Sequence, residues 1–138
     1  LKNQGNGRQE FNLEVRTMKI TTFNPMILSP KADELITLFE ELGFEKRHSP
    51  TVDTGKSLVT STRMKNADGF CIDIAGVASL PKDMTIIRMN VDSFDEAFEM
   101  LTAKGFKQQG PTVELPSSKS AMMVSPSGFA FDLCQHIK

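Results

Sequence analysis

The chain has 138 residues, 39% hydrophobic and 24% charged, with a formal net charge of −1 and a pI near 6.2. This composition suits one folded domain and supplies no broad attraction to DNA, RNA or an anionic membrane surface. No apolar run approaches the ~20 residues of a membrane span and no signal-peptide pattern opens the chain, so a cytoplasmic location is expected.

Residues 1–17 are polar and without periodicity, and they are read as a frayed or expression-derived leader ahead of Met18. From Lys19 to Leu28 the chain is rich in β-branched and apolar residues, which predicts a strand. Ser29-Pro30 then predicts a helix start, with serine as cap and proline in the first turn. Leu35, Leu38, Phe39 and Leu42 recur at helical spacing, and Gly43-Phe44 supplies the stop. Turn-rich sequence follows, and then two strand-like runs at Ser57–Met64 and Gly69–Ala75.

The same order then recurs. Thr85–Val91 predicts a strand, and Ser93 to Glu96 has the capping-box form that opens a helix. Phe94, Phe98 and Leu101 make its apolar stripe, and Gly105-Phe106 ends it. Ser120–Val124 and Phe129–Gln135 close the chain as strands, whereas Val113–Ser120 is read as a connection that either covers the cleft or is simply exposed. The phrase "GFCIDI" at Gly69–Ile74 returns as "GFAFDL" at Gly128–Leu133. One strand–helix–strands unit leaves an apolar sheet face uncovered, so two copies in one chain complete each other.

The stretches "LFEELGFEK", "VDSFDEAFEMLTAKGF" and "SPSGFAFDLCQ" occur in an order that resembles the vicinal oxygen chelate superfamily, which includes glyoxalases, bleomycin-resistance proteins and extradiol dioxygenases. The resemblance spans residues 18–138. It implies an α+β domain of two tandem βαβββ modules, about residues 18–77 and 83–138, with a curved, cup-shaped mixed sheet and helices outside. In metal-using members, histidines on the first strand and a carboxylate on the last strand of each module hold the ion. The carboxylate positions match Asp73 and Asp132, but the histidine positions fall on Ile86 and on Asn24, or on Phe23 if the register slips by one. Ile86 has no donor atom and a neutral amide is a poor ligand for zinc, nickel or iron, so neither a metal nor another cofactor is expected. His48 and His136 lie outside those positions.

Strand alternation sorts the remaining side chains. Phe70, Ile72 and Ile74, with Phe129, Phe131 and Leu133 and with Ile87, Met89 and Val91, are expected beneath the helices. The cup face then carries Cys71, Asp73, Ile86, Arg88, Asn90, Ala130, Asp132, Cys134 and His136, together with Asn24. Arg88 is expected either to pair with Asp73 or Asp132 in place of a cation, or to grip an anionic ligand. Met26, Met64, Met122 and Met123 are core filler or pocket lining. Cys71 and Cys134 are too few for a disulfide framework and have no zinc spacing, so they are expected as reduced thiols.

These residues lead to a metal-free small-molecule-binding protein, working as a homodimer by analogy with the antibiotic-binding members. The alternatives are a glyoxalase-like lyase or isomerase, with a shifted metal or with an aspartate base beside Arg88, and a ligand-sensing module acting through a partner protein.

Overall fold

The computed structural model describes residues 18–53 and 58–137. The leader expected at 1–17 lies outside the described residues. In chain order the elements are β1 (Ile20–Ser29), α1 (Ala32–Glu41), β2 (Glu45–His48), β3 (Thr51–Asp53), β4 (Leu58–Lys65), β5 (Cys71–Gly76), β6 (Met84–Val91), α2 (Phe94–Ala103), β7 (Lys107–Leu115), β8 (Ser118–Val124) and β9 (Ala130–His136). The strands form one mixed sheet in the order β2-β4-β5-β1-β6-β9-β8-β7, with β3 paired to β4. This is the expected α+β class.

The register at the centre of the sheet exposes the duplication. β1 and β6 are antiparallel and Pro25 lies opposite Ile87. These two residues are 62 positions apart, the same interval that separates Gly43 from Gly105. A residue paired with its own counterpart lies on a two-fold axis, so the modules are related by rotation about that point. The outer strands agree, since β5 runs parallel to β1 and β9 runs parallel to β6.

The repeated Gly-Phe phrases are matching turns. Asn66 N–H donates to Phe70 O and Ser125 N–H to Phe129 O, and Asn66 Oδ1 and Ser125 Oγ accept from the N–H of Phe70 and Phe129. Both turns need a left-handed residue, which Gly69 and Gly128 provide at φ 91° and 102°. The helix stops match as well. Phe44 N–H reaches back to Phe39 O and Phe106 N–H to Leu101 O, each across a glycine of positive φ.

Each helix covers one half of the sheet. Met64, Ile72 and Ile74 pack under Leu35, Ile36 and Phe39 of α1, and Met89, Val91, Ala121, Met123 and Leu133 pack under Phe94, Ala97 and Leu101 of α2. Ser93 caps α2 as expected, its Oγ accepting from Glu96 N–H. The cap expected for α1 does not form. β1 continues through Ser29, the helix begins at Ala32, and Ser29 Oγ instead accepts from Lys31 N–H and donates to Asp83 Oδ1 at 2.6 Å.

Several expected core positions are corrected. Phe70 is 67% exposed and Phe129 49%, because both precede their strands and sit in the turns rather than under a helix. Phe131, by contrast, packs as expected against the cluster under α2 and stacks on Phe106, while Ile87 is half-buried at the centre of the sheet, between the patches that the two helices cover. Leu38 and Leu42 point away from the sheet and are exposed. Val113–Ser120 is no connection over the cleft: it is the β7–β8 hairpin, turning at Pro116-Ser117. Polar edge strands β2, β3 and β7 arise from sequence that has no apolar alternation, as edges exposed to water allow.

Candidate functional site

Cross-strand partners point to the same face of a sheet, so the register identifies what lines the cup. Asn24 lies opposite Arg88, Met26 opposite Ile86 and Asp73, Asp73 opposite Arg63, Arg88 opposite Asp132, and Asn90 opposite Cys134. The residues expected at the cup therefore do share one face, but they divide into two layers.

One layer is apolar and filled by the protein itself. Met26, Leu28, Ala75, Ile86 and Ala130 are buried together, and Val77 and Leu80 from the connection between modules pack against them. Ile86, expected as a cup-lining position, is only 3% exposed within this cluster. Its side chain serves packing rather than lining an open cleft. Met122 and Val124 of β8 complete the layer.

The neighbouring layer is charged and centres on Asp73, whose side chain is 2% exposed. Arg63 forks it, with Nε 3.1 Å from Oδ1 and Nη2 3.2 Å from Oδ2. Asn24 Nδ2 donates to Oδ2 at 2.8 Å and also to Pro25 O at 2.9 Å. Arg88 Nε stands 3.7 Å from Oδ2, close enough for charge but beyond a hydrogen bond, and Arg88 Nη1 is 3.9 Å from Asp132 Oδ2. Arg88 thus lies between the two carboxylates, as expected, but the stronger partner of Asp73 is Arg63.

Arg63 is absent from the residues expected of the cup, although a signal for it exists. The turn at Asn66–Phe70 sets Lys65 opposite Cys71, and two residues further Arg63 meets Asp73. His48 pairs with Arg63 across a bulge and so reaches this side of the sheet. His136 is exposed at the end of β9, and partial burial of its ring together with Arg88, Arg63 and His48 holds it below the usual histidine range.

Burial pushes Asp132 above the usual carboxylate range, opposed by Arg88 and reinforced by Asp73. Burial likewise pushes the Cys134 thiol up to about 11. Cys134 is 4% exposed, while Cys71 is half-buried at the start of β5 with Sγ 3.8 Å from Gly69 O. Both thiols are free.

The two-fold axis makes the backbone symmetric but the chemistry is not. Met122 lies opposite Asp132 just as Arg63 lies opposite Asp73, and Met26 lies beside Asp73 just as Arg88 lies beside Asp132. Each arginine therefore has a methionine as its counterpart. The duplicated cup has one cationic and one apolar version of each of these positions.

These donors do not suit a transition ion. Ile86 contributes nothing, the Asn24 amide and the Arg63 fork occupy Asp73, and a dication would enter beside two guanidinium charges. Among the described residues no group of three His, Cys, Asp or Glu side chains is placed to hold a metal ion.

No protein-family model and no curated protein matches the sequence. Solved structures do match. The chain is similar to methylmalonyl-CoA epimerase from Mycobacterium tuberculosis, with a TM-score of 0.65 at 12% identity over 88% of this chain and 91% of that one. It is similar to a glyoxalase/bleomycin resistance protein/dioxygenase superfamily member from Vibrio splendidus, with a TM-score of 0.55 at 15% identity, covering 86% and 100%. It also matches a glyoxalase I variant from Zea mays, with a TM-score of 0.61 at 15% identity, covering 85% of this chain and 43% of that one. The fold is that of the vicinal oxygen chelate proteins, and likenesses of this kind carry the fold alone.

Proposed function

We propose that the protein binds a small molecule in the cup and does so without a transition metal. The observation that supports this reading is the state of Asp73: its two oxygens accept the Arg63 fork and the Asn24 amide, so the carboxylate in the ligand position is already spent on the protein's own donors. Guanidinium and amide groups take over the neutralising role of an ion. The homodimer belongs to the same proposal by analogy. With a net charge of −1, nucleic acid and anionic membrane are not among the partners proposed. Among the described residues no helix is long and apolar enough to cross a membrane.

Elemental analysis after loading with zinc, nickel and ferrous iron tests the metal-free claim. The expected result is substoichiometric metal, unchanged by Asp73→Ala; stoichiometric metal lost in both Asp73→Ala and Asp132→Ala overturns it. A thermal-shift screen of small organic molecules tests the binding claim. Stabilisation should disappear in Met122→Trp, which fills the cup.

A second reading has one specific observation behind it. Asp132 is 23% exposed in its side chain where Asp73 is 2% exposed, and it carries a raised pKa beside Arg88. A carboxylate so placed suits proton abstraction from a substrate whose carbonyl Arg88 polarises. Deuterium exchange into a bound carbon acid, lost in Asp132→Asn, would favour an isomerase or lyase.

A further inference from the structure

Two polar atoms of the charged layer have no hydrogen-bond partner among the described residues. Arg88 Nε and Asn90 Oδ1 are both buried and unsatisfied. They sit two residues apart on β6, and since Met89 and Val91 pack under α2, both Arg88 and Asn90 face the cup. Asn90 is only 4% exposed. Native proteins rarely leave buried polar atoms unpaired, so a pair of them in one cleft marks groups held for something absent from the chain itself. Neither atom is hydrogen-bonded by the fold: Asp73 takes its hydrogen bonds from Arg63 and Asn24, and Arg88 is held by charge alone, at 3.7 and 3.9 Å from the two carboxylates.

The two atoms specify complementary partners. Arg88 Nε is a cationic donor and calls for an anionic acceptor; Asn90 Oδ1 is a neutral acceptor and calls for a donor. We infer that the cup recognises a small hydroxycarboxylate, the carboxylate accepting from Arg88 and the hydroxyl donating to Asn90. This rests on the small-molecule reading above and adds a ligand class to it. The donor is a hydroxyl rather than an ammonium, because the guanidinium groups of Arg88, two residues from Asn90, and of Arg63 beside Asp73 disfavour another cation there. A single negative charge is favoured over a dianion, because Asp73 and Asp132 flank Arg88. Met122, half-buried on β8 opposite Asp132, offers a short hydrocarbon an apolar neighbour.

The test uses three probes of one carbon skeleton: 3-hydroxybutyrate, butyrate and butane-1,3-diol, titrated while the methionine methyl signals of Met26 and Met122 are followed by NMR. The expected order is 3-hydroxybutyrate tightest, butyrate at least fivefold weaker, and the diol without effect. Asn90→Leu should bring 3-hydroxybutyrate down to the level of butyrate. Arg88→Lys, which keeps the charge but loses the Nε donor, should weaken both acids about tenfold. Equal binding of the two acids, binding of the diol as well as the acids, or Arg88→Lys and Asn90→Leu proteins that bind like the parent would each overturn the inference while leaving a ligand-binding cup intact. If none of the three probes moves the methyl signals, the hydroxycarboxylate inference fails. Whether the cup binds any ligand is then decided by the thermal-shift screen.

Discussion

Arg63 and Asp73 face each other from paired strands and share two hydrogen bonds of 3.1 and 3.2 Å, with the carboxylate almost wholly out of water. Removing the guanidinium leaves a buried charge with weaker partners, which costs about 3 kcal/mol in comparable cases. Arg63→Met should therefore lower the unfolding free energy by about that amount in urea titrations. Adding Asp73→Leu should restore part of it, because no carboxylate is then left to desolvate. A loss near zero in the single variant would mean that Arg88 and Asn24 suffice.

The raised pKa of Asp132 makes a signed prediction. Its folded value lies above the ordinary 3.8, so the folded state prefers the protonated carboxyl. The resulting stabilisation is fully present below pH 3.8 and is lost as pH rises through the folded value. Asp132→Asn cannot ionise, so its stability relative to the parent should increase from acid to neutral pH. Denaturation curves at matched pH values measure this difference, and a trend of the opposite sign would show that Arg88 outweighs burial.

With a thiol held at about 11 and 4% exposure, Cys134 has little thiolate at neutral pH and little access to reagent. Iodoacetamide should modify Cys71 well before Cys134 in the native protein, and both at similar rates in denaturant. Peptide mass spectrometry of a time course separates the two. Rapid native labelling of Cys134 would show that the cup opens to solvent.

The matched helix stops should differ in their tolerance of alanine. Gly43 and Gly105 both have positive φ, so either change costs about 1 kcal/mol in backbone strain. A Cβ at Gly43 meets nothing within 4 Å, whereas one at Gly105 comes 3.0 Å from Pro126 Cγ. Gly105→Ala should thus lower the melting temperature more than Gly43→Ala does. Equal shifts would show that the proline gives way freely.

Sequence alone determined the architecture, because its signals are local and occur twice. Ser93 as a cap, glycine at each helix stop and the doubled Gly-Phe turn each constrain a few neighbouring residues, and alternation then assigns Asp73, Arg88, Asn90 and Asp132 to one face. Tertiary structure alone decided which of those groups touch. Arg63 meets Asp73 within one hairpin whose turn the sequence does mark, but Ile86 disappears into an apolar cluster built from both modules and their connection, and Arg88 is held between two carboxylates without bonding closely to either. Alternation fixes the side of a sheet to which a residue points, but contact depends on how strands distant in the chain align, and no short stretch of sequence encodes that alignment.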